Sequence, residues 1–327
     1  MPELSRRRFT RSLLAASALS AAIPLTARGA GRNVIVGGGP AGATAALALR
    51  RARPKDDILL IERDPSRLAG GPAARFAQPG APVDLATLRQ AGIAVALDEV
   101  TEVDWRAARL SLFSGRLMAF DRLLLAPGTT PVAEALDGLG PVARHLWPAA
   151  WGSAREARRL AAQLSALPTS GHLVLRLPGT GLSHPDIALA RALELDRWLR
   201  RNRPGARMTV LDGAPDAPLA ARFRARGGHA AWHTADDGGT VLRLDAPRGV
   251  IDTSAGRLYA DVVNFLTPRQ AGQIAQIAGL TDESGWCPCD GAGRSLIRRS
   301  AAILGDARRD APRSIASALA SGANALV

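Results

Sequence analysis

Cysteine, lysine and aromatic side chains are scarce in this chain. Among its 327 residues only 2 are cysteine, which excludes a scaffold built on disulfides. No Cys-x-x-Cys-His occurs, so any c-type haem must come from a separate subunit. Aromatic residues make up 4 % of the sequence, and 6 of them are tryptophan. Lys55 is the sole lysine, so the net charge of +13 rests on arginine. Those arginines are scattered, with no aromatic-interleaved basic stripe and no nucleic-acid motif, which argues against a nucleic-acid partner. Two readings of the basicity stay open: attraction of an acidic protein partner, or a compositional habit of using arginine. After Val34 no run of 18 uncharged apolar residues occurs, so no membrane span is expected in the mature chain. No metal-ligand set is assigned. A hydrophobic content of 47 % and a charged content of 22 % are globular values, and the length suffices for two ordinary domains.

The N-terminus carries an address. Ser5-Arg6-Arg7-Arg8-Phe9 is a twin-arginine signature. Ser12 to Ala27 is uncharged and rich in alanine and leucine, and small residues follow to Ala30. Residues 1–30 therefore read as a cleavable twin-arginine signal peptide, which implies a periplasmic protein. An uncleaved anchor or a chance arginine run is the alternative.

From Asn33 the pattern is strand, glycine turn, helix (Ala43 to Arg53), strand (Asp56 to Ile61) and acid, a βαβ unit. Leu68 to Pro82 reads as loop, Val83 to Gln90 as helix, Ile93 to Leu97 as strand, and Val100 to Phe120 as an antiparallel meander. A strand at Phe120–Leu125 runs into Ala126-Pro127-Gly128-Thr129. A similar series follows: helix (151–167), strand (173–177), helix (187–199), strand (208–211) and strand-rich 240–260. It closes with strand 262–266, helix 271–278, strand 302–304 and a final helix. The fold class is α/β, with two Rossmann-like three-layer dinucleotide-binding domains. The divisions are 31–145 for the first part of the cofactor domain, 146–260 for the second Rossmann-like domain, and 261–327 for the return of the discontinuous first domain.

Gly37-Gly38-Gly39-Pro40-Ala41-Gly42 follows a strand and opens a helix, with Glu62 about 20 residues on, the context a dinucleotide fingerprint requires. Gly37 permits the tight turn, Gly39 lets a pyrophosphate approach the backbone, and Gly42 allows close helix–strand packing. Pro40 and Ala41 complete the turn, whose free amides favour phosphate. Glu62, with Arg63 beside it, is placed to bind the adenosine ribose. Phe120-Asp121…Ala126-Pro127-Gly128-Thr129 and Leu304-Gly305-Asp306 resemble the two distant motifs of the two-dinucleotide-binding flavoproteins, within the FAD/NAD-dependent pyridine nucleotide-disulfide oxidoreductase-like superfamily. That resemblance implies FAD, with Asp306 bonding its ribityl chain and Gly128 and Gly305 beside it.

The run Ala271 to Thr281, continued by Gly285-Trp286-Cys287-Pro288, is similar to the flavoprotein subunit of flavocytochrome c sulfide dehydrogenases. Further matches include Gly42 to Ala46, Trp151, Trp232-His233, Asp261 to Asn264 and Ile303 to Asp306. The resemblance implies a periplasmic FAD enzyme that takes electrons from sulfide or another small sulfur compound. Its acceptor is a c-type cytochrome subunit, and a cysteine pair lies beside the flavin. One cysteine is matched by Cys287, whereas His184 stands where the second should be. Three readings stay open: Cys287 as a thiolate assisted by His184, Cys287 and Cys289 as an unusual redox pair, or Cys287 as a packed residue. Leu68 to Phe76 holds no cysteine, so FAD is expected to be non-covalent. The sequence also ends where family chains generally continue, so a divergent, C-terminally short member is expected. Competing readings are an NAD(P)H-linked flavin reductase, from Leu177-Pro178-Gly179-Thr180-Gly181 with Asp212, and a flavin-binding protein without catalysis.

Overall fold

The computed structural model describes residues 31–69, 76, 83–216 and 218–325. The signal-peptide reading of residues 1–30, and most of the loop read at 68–82, lie outside them. Residues 32–325 fall within one compact unit with two layered halves.

The first half is a parallel sheet in the order β17–β7–β1–β2–β3. Its strands are β1 (Arg32–Val36), β2 (Asp57–Glu62), β3 (Ala94–Leu97), β7 (Arg122–Leu125) and β17 (Ala301–Ile303). The central strands are apolar at nearly every position because both faces of a parallel sheet are covered. Alternate residues serve opposite layers. Ile35, Leu60 and Leu124 pack with Ala43, Ala46 and Leu49 of helix α1 (Pro40–Ala52). Val34, Leu123 and Ile303 pack instead with Leu110 and Leu112 of an antiparallel meander. That meander is β4 (Val100–Asp104), β5 (Arg109–Leu112) and β6 (Leu117–Ala119). Helix α2 (Leu85–Gln90) precedes β3, and Asp84 caps it by accepting from Thr87 N at 2.8 Å. The last helix, α8 (Ile315–Ala323), lies on α1, and a Cβ on Gly322 would sit 2.3 Å from the Ala41 carbonyl oxygen.

The second half repeats this plan with a parallel sheet in the order β11–β10–β9–β15. Its strands are β9 (His172–Leu177), β10 (Arg207–Asp212), β11 (Ala231–His233) and β15 (Val262–Phe265). Leu173, Leu175 and Leu177 face α4 (Ala154–Ser165), α5 (Pro185–Asn202) and α6 (Pro218–Ala225). Val174, Val263 and Phe265 face α3 (Pro141–Leu146) and a meander of β12 (Val241–Asp245), β13 (Val250–Thr253) and β14 (Gly256–Tyr259).

Two short strands join the halves: β8 (Thr129–Pro131) pairs antiparallel with β16 (Arg269–Ala271), after which α7 (Gln273–Ile277) begins. This moves both expected divisions. Residues 141–147 already pack under the second sheet, through Ala143 and Trp147. Strand β15, expected in the returning first domain, pairs in parallel with β9, Val262 opposite Leu173. The chain therefore crosses at β8 and β16 rather than at 145/146 and 260/261. A parallel strand's neighbour is set by the crossover that precedes it, not by its own sequence. Among the described residues no helix is long and apolar enough to cross a membrane.

Candidate functional site

The glycine turn has the geometry its sequence calls for. Gly37 adopts φ +104° and donates to the Ile61 carbonyl at 2.8 Å; a Cβ there would lie 2.2 Å from the Ala126 carbonyl oxygen. A Cβ on Gly42 would lie 1.9 Å from the Gly37 carbonyl oxygen. Gly39 is the N-cap of α1 and supplies no side-chain cap, while Pro40 opens the helix. The first-turn amides thus point out of a buried helix start, toward which an anion is drawn. Glu62 is buried at the end of β2: one carboxylate oxygen accepts from Gly38 N at 2.5 Å and the other from Asp64 N at 2.8 Å. Each oxygen has a further lone pair for a ligand hydroxyl. Arg63 pairs with Glu99 at 2.9 Å at the surface. A cleft of about 660 Å³, open mouth included, is lined by Gly37, Glu62, Arg63, Arg67, Thr129 and Gly272.

The linking strands close one side of this cleft. Gly128, at φ +61°, accepts from Gly272 N at 2.9 Å, and a Cβ on Gly272 would lie 2.1 Å from the Pro127 carbonyl oxygen. Arg269 donates to the Thr129 hydroxyl at 2.7 Å and to its carbonyl at 2.8 Å. Burial, with Arg67 adding repulsion, pushes the Arg269 guanidinium down to about 10. Gly272 and Arg269 did not stand out in the sequence; a glycine four residues beyond the Pro268 of a domain crossing was the available signal.

The late motif arrives at the same helix end. Gly305 adopts φ +69°, donates to the Ser321 hydroxyl at 2.9 Å, and a Cβ there would lie 2.9 Å from the Ala41 methyl. The next residue, Asp306, meets His184 across the two halves: Nε2 lies 2.6 Å from Oδ2. Around this contact four buried polar atoms have no protein partner: Asp306 Oδ1, His184 Nδ1, the Ser183 hydroxyl and Trp151 Nε1. The Trp151 ring centroid is 6.4 Å from that of His184. Buried polar groups are nearly always satisfied by protein, water or ligand, so such a cluster is a place where a polar ligand can complete the structure. The glycine turn, the helix end, Glu62 and this cluster together fit an extended dinucleotide such as FAD.

The thiols take no part in that convergence. Cys287 is wholly buried among Val34, Val36, Ile303 and Ala307. Burial pushes its thiol up to about 12, with Cys289 and Asp282 adding to the rise. No hydrogen bond or charge acting on it comes from His184, whose ring is turned to Asp306. Of the three readings open for Cys287, burial favours the packed, neutral thiol. Cys289 is free like Cys287, and its Sγ donates to the Cys287 carbonyl at 3.4 Å. Burial also pushes Cys289 up, to about 11.

The second half lacks the fingerprint turn. Helix α5 starts at Pro185, eight positions after Leu177, whereas α1 starts four positions after Val36. Gly179 packs directly on Gly213, where a Cβ would lie 2.4 Å from the Gly213 carbonyl oxygen. Asp212 is buried and accepts from Trp232 Nε1 at 3.2 Å and Ala214 N at 3.1 Å, and burial raises its carboxyl. Like Glu62, Asp212 is a buried strand-end carboxylate already bonded to the chain.

Residues 31–163 match the family model of pyridine nucleotide-disulphide oxidoreductases. Solved structures share the fold over most of this chain. Reduced Bacillus anthracis CoADR-RHD superposes with a TM-score of 0.67 at 17 % identity, covering 92 % of this chain and 57 % of that one. The sulfide:quinone oxidoreductase of the hyperthermophilic bacterium Aquifex aeolicus gives 0.68 at 18 %, covering 90 % and 76 %. A NAD-dependent persulfide reductase from A. fulgidus gives 0.68 at 20 %, covering 90 % and 58 %. This chain thus spans little more than half the length of two of these structures. The fold is that of the FAD/NAD-binding oxidoreductases, with two Rossmann-like domains.

Proposed function

We propose that the protein is a non-covalent FAD oxidoreductase that takes electrons from a reduced sulfur compound outside the cytoplasm and passes them to a c-type cytochrome. The observation that carries the FAD reading is the meeting of the glycine turn with Gly305-Asp306, where Asp306 Oδ1 is buried without a partner. The turn at Gly37, Gly39, Pro40, Ala41 and Gly42 would take the pyrophosphate, Glu62 with Arg63 the adenosine end, and Gly128, Gly305 and Asp306 the flavin half. Bound FAD supplies a two-electron acceptor able to release its electrons one at a time. The sulfur donor and the cytochrome acceptor rest on the resemblance of residues 261–306 to flavocytochrome c sulfide dehydrogenase flavoproteins. Sulfide and persulfide chemistry among the fold neighbours supports the donor class. Periplasmic export rests on the twin-arginine pattern at Ser5 to Phe9.

Cys287 packs in the core in this reading. The nicotinamide alternative is disfavoured by the contact of Gly179 with Gly213 and the longer connection from Leu177 to Pro185. The test is anaerobic. Protein recovered from the periplasm of an expressing cell is loaded with FAD and given sulfide at about millimolar concentration, and the flavin band near ~450 nm is followed. Oxidised cytochrome c is then added. Bleaching by sulfide and reduction of the cytochrome are expected. Bleaching by NADH but not sulfide would replace this reading with a flavin reductase, and protein that holds no FAD would remove the enzyme altogether.

A further inference from the structure

His184 has an environment that neither a helix cap nor a loop histidine explains. It is the N-cap residue of α5, yet its side chain makes no cap hydrogen bond. It is not glycine, yet it adopts φ 57° and ψ 61°, a left-handed conformation that persists only where surroundings over-determine it. Its ring is buried and crosses from the second half of the molecule to Asp306 in the first. Another charge acts near Asp306, that of Arg313, but this guanidinium donates to the Arg309 carbonyl at 3.0 Å and stacks 3.7 Å from the Trp286 ring centre. His184 Nε2 is set against the Asp306 carboxylate, 2.6 Å from Oδ2.

We propose that His184 is a positioning residue for the cofactor, holding Asp306 Oδ2 so that Asp306 Oδ1 and its own Nδ1 serve a hydroxyl-bearing chain, the ribityl chain of FAD. The chemistry of the four unpartnered atoms names the ligand class. A carboxylate only accepts, so the 2.6 Å contact places a hydrogen on Nε2, and Nδ1 is left without a protein partner. Asp306 Oδ1 is a bare acceptor, and the Ser183 hydroxyl can serve in either sense. With Trp151 Nε1 a bare donor and Asp306 Oδ1 a bare acceptor, the cluster calls for ligand groups that both donate and accept, which the hydroxyls of a polyol chain do and an aromatic ring does not. The second domain then does more than cover the flavin: through His184 it fixes the group that holds it. This inference rests on the FAD reading above.

The test compares FAD affinity and FAD-induced thermal stabilisation in the full mature chain for wild type, His184→Asn, His184→Gln, Asp306→Ala and the double variant His184→Asn/Asp306→Ala. Asparagine tolerates the left-handed backbone but is too short to stand in for Nε2; glutamine carries its amide nitrogen about as far as Nε2. His184→Asn is expected to weaken FAD binding about 10- to 100-fold, the range for a hydrogen bond to a charged group. His184→Gln is expected to recover most of that loss, and the apo proteins to melt alike. The double variant should bind no worse than Asp306→Ala, since partners in one network are not additive. Wild-type affinity in His184→Asn, a His184→Gln no better than His184→Asn, or additive losses in the double variant would each overturn the proposal. Wild type that binds no FAD would instead fail the FAD reading itself.

Discussion

The carbonyl oxygen of Gly37 occupies the place a side chain at Gly42 would need, 1.9 Å from where its Cβ would be. The obstacle is backbone on both sides, so α1 cannot yield by moving a side chain. Gly42→Ala is expected to push the helix off β1 and cost about 3 kcal/mol or more, at the upper end for an overpacked core. Urea unfolding checks the stability. A Gly42→Ala protein as stable as wild type would show that the helix start is looser than this packing implies.

Glu62 accepts from two backbone amides, Gly38 N and Asp64 N, one on each oxygen. Glutamine has a single acceptor oxygen, so Glu62→Gln must turn an NH2 group toward an N–H donor. The expected cost is about 1–3 kcal/mol in stability for the amide left unsatisfied, together with weaker FAD binding, because the same carboxylate orders the glycine turn. Chemical unfolding and a flavin fluorescence titration read the two effects. Glu62→Asp, which keeps both acceptors on a shorter stem, should fall between them.

Arg176 on β9 is buried, forms a two-pronged pair with Glu134 and donates to the Leu266 carbonyl at 2.7 Å. Glu134 lies just beyond β8, so the pair ties the outgoing crossover to the second sheet. Removing the carboxylate leaves a buried guanidinium without its counter-ion, and Glu134→Ala is expected to cost about 3 kcal/mol. Replacing both residues, Glu134→Leu with Arg176→Met, should recover part of the loss. Equal stability of Glu134→Ala and wild type would contradict a structural role for the pair.

What was legible in the sequence follows physical logic. Gly37 and Gly42 could be read because only glycine lets two backbones approach that closely, and their spacing carries that constraint. The alternating strands and helices could be read because the interiors of parallel strands, such as Ile58–Ile61 within β2, are apolar throughout. Strand β11, with 3 residues, and helix α3, with 6, were missed because they are too short to show a period. The meeting of His184 with Asp306 was hidden for another reason: it is made by the packing of one half against the other, and neither local sequence carries a sign of it. Cys287 stayed open in the sequence because a family redox motif and a buried small hydrophobe call for the same residue, and only its burial distinguishes them.

Cys287 also offers a test by pH. Its thiol is raised by burial from the ordinary range up to about 12, so the unfolded chain loses this proton first. A raised folded value means that the stability contribution is intact below about pH 9 and is lost as pH climbs toward 12, by at most about 1.4 kcal/mol per unit. The difference in stability between wild type and Cys287→Ala should therefore shrink between pH 8 and pH ~11, measured on a Cys289→Ala background because that thiol is raised too. Because burial keeps the thiol neutral at pH 8, a disulfide reagent should label it only as fast as the protein unfolds. Rapid labelling of native protein would restore the reactive-thiolate reading. So would loss of sulfide-driven flavin bleaching in a Cys287→Ala protein that still binds FAD.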